Sequence, residues 1–134
     1  MRKMFAFELL MKKANADLRT SKKLLYDVDP DFDIICFHLQ QFIEKYLKAF
    51  LIYNNIEPKK VHSIEILLND CASLDSSFQK YYESDFLALT DCSVLIRYDE
   101  LEDVDRKFLE GALVVIEELK RFIESKIKIT EGLF

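Results

Sequence analysis

Glycine and proline are almost missing, with two of each in 134 residues, where about 12% of an average chain is one or the other. Sandwiches, barrels and dinucleotide-binding folds turn on these residues at every corner, and this chain cannot supply them. Long helices joined by few connections need neither. Gly111 and Gly132 are the only glycines, so no glycine-rich loop exists to cradle a phosphate. Long apolar runs are missing too. The longest, Ala49 to Tyr53 and Ala112 to Ile116, have five residues, against about 20 for a membrane-spanning helix.

The opening Met1-Arg2-Lys3-Met4-Phe5 imitates a secretory signal, but Glu8, Lys12 and Lys13 break the apolar stretch that such a signal needs. Cysteine is scarce. Cys36, Cys71 and Cys92 are odd in number, far apart and flanked by apolar residues, a pattern that predicts buried reduced thiols in a cytoplasmic protein. Cys36, His38, His62 and Cys92 have no zinc-ligand spacing, so neither a metal nor another cofactor is expected. Cys36 and His38, two apart on a helix, point to different faces and form no nucleophile–base pair.

What is present fits a single globular domain over residues 1–134. Half of the residues are apolar and 32% are charged. The net charge of −5 argues against wholesale coating of nucleic acid. The charge is unevenly spread: residues 1–25 balance at +5 and residues 83–110 at −6. A basic first helix opposite an acidic segment offers a self-complementary pair of surfaces and predicts a homodimer.

The apolar residues Phe7, Leu10, Met11, Ala14, Leu18 and Leu25 recur at helical spacing and predict a helix from Phe5 to about Leu25. Asp29 as N-cap and Pro30 at the first helical position would start a second helix, which Asn54, Asn55 and Pro58 end near Tyr53. Its wheel is apolar over more than half its circumference, which puts it at the centre of a bundle. A third helix is predicted over about Ser63–Leu74, a loop over 75–82, a fourth helix over about 85–96 and a fifth over about 103–127. The fold class is therefore all-α, a five-helix up-and-down bundle.

The second helix also carries polar chemistry. At 100° per residue His38, Gln41, Lys45 and Lys48 fall in a stripe about 80° wide. An imidazole, an amide and two ammonium groups suit phosphate or carboxylate oxygens. Glu44 lies one turn before Lys48 and can pair with it. An ordinary solvent-facing stripe closed by that one ion pair explains the spacing equally well.

The run Cys-Phe-His-x-Gln-Gln-x-x-Glu-Lys-x-x-Lys-Ala at 36–49 resembles the second helix of HEPN domains (higher eukaryote and prokaryote nucleotide-binding). Three further stretches agree, in the order the family has them. Asn15-Ala16-Asp17-Leu18 with Ser21 resembles its Ala-x-x-Asp-Leu pattern. Pro58 followed by Val61-His62-Ser63-Ile64 resembles its entry to helix three. Tyr81-Tyr82 with Ile96-Arg97-Tyr98-Asp99 resembles its Arg-Tyr-Pro-Asp motif. The resemblance implies a small helical bundle, usually dimeric. In prokaryotes it is often encoded beside a minimal nucleotidyltransferase as a toxin–antitoxin-like pair.

Many such domains are metal-independent ribonucleases with an Arg-x(4–6)-His motif. Here Arg97 is followed at those distances by Glu102, Asp103 and Val104, so no catalytic residue carries over. A carboxylate cannot replace the imidazole as acid–base group and repels phosphate besides. Asp29-Pro30-Asp31 has no Gly-Ser loop before it, so the chain is not itself a nucleotidyltransferase. Two readings stand. In one, the chain is a non-enzymatic partner module that binds a nucleotide or other phosphate-bearing ligand through His38, Gln41, Lys45, Lys48, His62 and Arg97. In the other, it is a divergent ribonuclease in which Arg97 works with His38 or His62.

Overall fold

The computed structural model describes residues 5–83, 87 and 106–127. Among them are four α-helices, α1 (Ala6–Leu25), α2 (Phe32–Tyr53), α3 (Ile64–Leu74) and α4 (Arg106–Lys126), and a 3-10 helix at Ser76–Glu83. No strand occurs among the described residues. The all-α bundle stands. The expected helix over 85–96 lies outside the described residues, apart from Leu87.

Helix boundaries follow local chemistry. The Phe5 backbone N–H donates to the Glu8 carboxylate at 3.2 Å, which satisfies one of the donors that a helix start leaves open. At the other end of α1 the Arg106 guanidinium donates to the Leu25 carbonyl at 3.1 Å and to the Asp27 carbonyl at 3.2 Å. Asp31, not Asp29, is the N-cap of α2; Pro30 precedes the helix rather than opening it. Ser63 caps α3 by accepting from the Ile66 N–H at 3.3 Å, as its position predicts. The stretch expected to be a loop at 75–82 is mostly 3-10 helix, because Phe78 and Tyr81, three apart, both reach the core.

Helix α2 is the axis of the molecule. Twelve of its 22 residues are buried, in agreement with its broad apolar wheel. It packs against α1, α3 and α4. The pairs Phe7–Tyr53, Asn15–Tyr46 and Asp17–His38 show α1 running antiparallel to α2. Phe50, Phe78, Tyr81 and Phe122 join α2, the 3-10 helix and α4 through edge-to-face ring contacts, a favoured arrangement for aromatic quadrupoles.

Cys71 is a free thiol buried under α2, with its Sγ 3.5 Å from the Leu47 carbonyl. Cys36 is fully buried as well, so the expected burial holds for both described cysteines and the expected free thiol for Cys71.

Candidate functional site

The polar stripe of α2 exists as a line of half-buried side chains. His38, Gln41, Lys45 and Lys48 are the residues that the heavily buried middle of the helix leaves partly open to solvent. The structure adds two carboxylates that divide them into two clusters.

Asp17, from α1, is the centre of the first. Its Oδ1 lies 2.9 Å from His38 Nδ1, and its Oδ2 accepts from Lys45 Nζ at 2.5 Å. Asp17 points at α2 because it sits one residue before buried Leu18 and three after buried Ala14. Ser21 Oγ donates back to the Asp17 carbonyl at 2.9 Å.

Glu44, on α2 itself, is the centre of the second. Its Oε2 lies 3.3 Å from His62 Nδ1 and 4.0 Å from Lys48 Nζ. Glu44 is 3% exposed, and its Oε1 is buried with no hydrogen-bond partner among the described residues. An ionised carboxylate so placed is costly unless its cations stay close. The His62 side chain is 83% exposed, so the ring edge away from Glu44 is open to solvent. Gln41 lies between the clusters, and its side chain makes no hydrogen bond to described residues.

Of the residues predicted from sequence, His38 and Lys45 therefore meet at Asp17, and Lys48 and His62 meet at Glu44. Arg97 lies outside the described residues. Asp17 is the participant that residue-by-residue reading of α2 could not find. Its signal was an acidic side chain near the inward edge of an otherwise basic helix. Chemically the stripe holds two lysines against two carboxylates, with two imidazoles whose protonation adds positive charge. It can take an anion at its open edge, and each imidazole is oriented by a carboxylate at Nδ1. Among the described residues no group of three or more His, Cys, Asp or Glu side chains is placed to hold a metal ion.

A second polar group is structural. Tyr46 Oη accepts from the Asn15 amide at 2.7 Å and donates to Glu124 at 2.5 Å, and Lys120 lies 2.7 Å from the same carboxylate. This chain links α1, α2 and α4 beneath the surface.

Compared with known protein families, the chain matches the HEPN domain model over residues 7–126. Neither the search of curated proteins nor that of solved structures found a match. No described helix is long and apolar enough to cross a membrane.

Proposed function

The chain belongs to the HEPN domain family, and from that membership we propose that it is a non-enzymatic partner module. It binds a nucleotide or other phosphate-bearing ligand at the α2 stripe and acts beside a minimal nucleotidyltransferase in a toxin–antitoxin-like pair. The observation that carries this reading is the half-buried line His38, Gln41, Lys45 and Lys48 on a helix otherwise given over to the core. The open amide and imidazole edges of this line suit phosphate oxygens. Arg97 is the further cation that this reading assigns to the ligand.

Because Asp17 and Glu44 already balance Lys45 and Lys48, an anion gains most when the imidazoles are protonated. Binding should strengthen on acidification and weaken with salt. The test is the Lys45→Ala/Lys48→Ala double variant, with ATP and inorganic phosphate as probes in equilibrium dialysis and with co-purification of host proteins. It is expected to stay folded and to lose both ligand and partner. A variant that unfolds, or that keeps every ligand and partner of the parent, makes the stripe structural.

One observation favours the second reading, a divergent ribonuclease. Glu44 holds His62 at Nδ1 and leaves the rest of the ring exposed, the orientation that a general base needs. Metal-independent cleavage of RNA that disappears in both Arg97→Ala and His62→Ala would select it over the partner module.

A further inference from the structure

The lysines of α2 are paired with carboxylates, and on α1 Lys22 pairs with Glu117 of α4; the other described cations of α1 stand differently. Leu9, Lys12, Ala16, Arg19, Lys23 and Tyr26 follow one another at spacings of three and four along α1 and its C-cap, and all six are exposed. Residues at those spacings share one helix face. Lys13 is exposed beside them. None of Lys12, Lys13, Arg19 and Lys23 has an ion pair or hydrogen bond through its side chain to any described residue.

No exposed residue of α1 is acidic. Of its two carboxylates, Glu8 is buried at the helix start and Asp17 is turned onto α2. A protein with a net charge of −5 thus keeps four cations here that no described carboxylate pairs with, and between Lys12 and Lys23 they span about 16 Å at 1.5 Å per residue.

We infer that the outer face of α1 binds single-stranded nucleic acid, with Lys12, Lys13, Arg19 and Lys23 tracking the phosphate backbone and Tyr26 stacking on a base. The arrangement selects this occupant. Protein interfaces place apolar residues at the centre and charge at the rim; here the centre is cationic, and Leu9 and Tyr26 stand at the two ends. A line of cations matches a linear polyanion, and an exposed ring at its end matches the base–aromatic stacking of single-strand binders.

Tyr26 is 65% exposed and borders a cavity of about 430 Å³ between α1 and α4, lined by Leu113 and Val114 and by the charged Lys22, Glu110 and Glu117. This surface is separate from the α2 stripe and does not depend on it.

The experiment is fluorescence anisotropy of the full chain with a labelled 12-nucleotide oligo(U) across a salt series. Binding is expected, with a log–log salt slope of roughly −2 to −3 for three or four neutralised phosphates. Lys12→Glu/Arg19→Glu/Lys23→Glu should weaken it at least about tenfold, and Tyr26→Ala about fivefold or more. Lys59→Glu/Lys60→Glu, charge reversals on another surface, should leave it unchanged. If the triple variant does not fold, Arg19→Gln alone should flatten the salt slope by about 0.7.

Three outcomes overturn the proposal. They are no binding at about 50 mM salt, equal loss in both sets of charge variants, and a duplex or a Glu-rich peptide that binds as tightly as the single strand.

Discussion

Tyr46 shows how one residue sets the register of three helices. It is fully buried. Burial first, and then the hydrogen bond to Glu124, push its phenol above the usual range, so the hydroxyl keeps its proton and serves as donor to Glu124 and acceptor from Asn15. Tyr46→Phe keeps the ring and leaves the buried Asn15 amide and the partly exposed Glu124 carboxylate each one partner short, with Met11 and Lys120 as the partners that remain. The expected cost is about 1–3 kcal/mol, read as a lower urea midpoint. An unchanged midpoint means the hydroxyl contributes nothing net. Cys71 is a second residue with a clear forecast. Burial, helped by the charge of Asp70, pushes its thiol up to about 12. Since the thiolate is the nucleophile, iodoacetamide should leave the Cys71 peptide unmodified in the native protein and alkylate it after unfolding, as peptide mass mapping will show.

At the scale of elements, α4 carries an avoidable weakness. Gly111 lies inside the helix, is exposed, and a Cβ built there meets nothing within 4 Å. Gly111→Ala should raise stability by about 0.5–1 kcal/mol, chiefly by reducing the freedom of the unfolded chain. A lower thermal midpoint would mean that this face of α4 is covered by something a methyl group disturbs. The junction of α3, the 3-10 helix and α4 depends on Asp75. Asp75 is the C-cap of α3, accepts from the Ser77 N–H at 3.0 Å and meets Lys126 Nζ at 2.6 Å. Lys126 first, and then Ser77, lower its carboxyl from 3.8 to about 2. A folded value below the unfolded one means the contribution is fully present above about pH 4 and is lost as pH falls through about 2. Asp75→Asn should therefore flatten the loss of thermal stability between those limits. Because the contact is exposed, the difference should shrink in high salt.

For the whole molecule the open question is how copies associate. The sequence argument for a homodimer used the apolar wheel of α2 and the basic first helix set against the acidic balance over 83–110. The wheel is spent on the chain's own core, and the only large apolar side chains that α2 leaves exposed are Ile34 and Phe37. Most of the acidic segment lies outside the described residues. We still expect a homodimer, with the exposed Ile34–Phe37 end of α2 as the surface best suited to it. Sedimentation at micromolar concentration and about 0.15 M salt tests this, and a monomer there overturns it.

The sequence by itself determined the fold class, the family and most helix limits. Scarce glycine and proline leave only helical architectures, the apolar spacing of α1, α2 and α4 is periodic, and Leu25, Tyr53 and Ser63 stand where the described helices begin or end. It also put His38, Gln41, Lys45 and Lys48 on one stripe, because helical geometry alone fixes which residues share a face. Only the tertiary structure decided the electrostatic meaning of that stripe. Asp17 is 28 residues from Lys45, and His62 is 18 from Glu44, separations that no helical period connects. Those contacts balance the lysines of α2, whereas Lys12, Lys13, Arg19 and Lys23 of α1 meet no described carboxylate. Charge along a chain is additive and legible; which charges cancel depends on which helices touch.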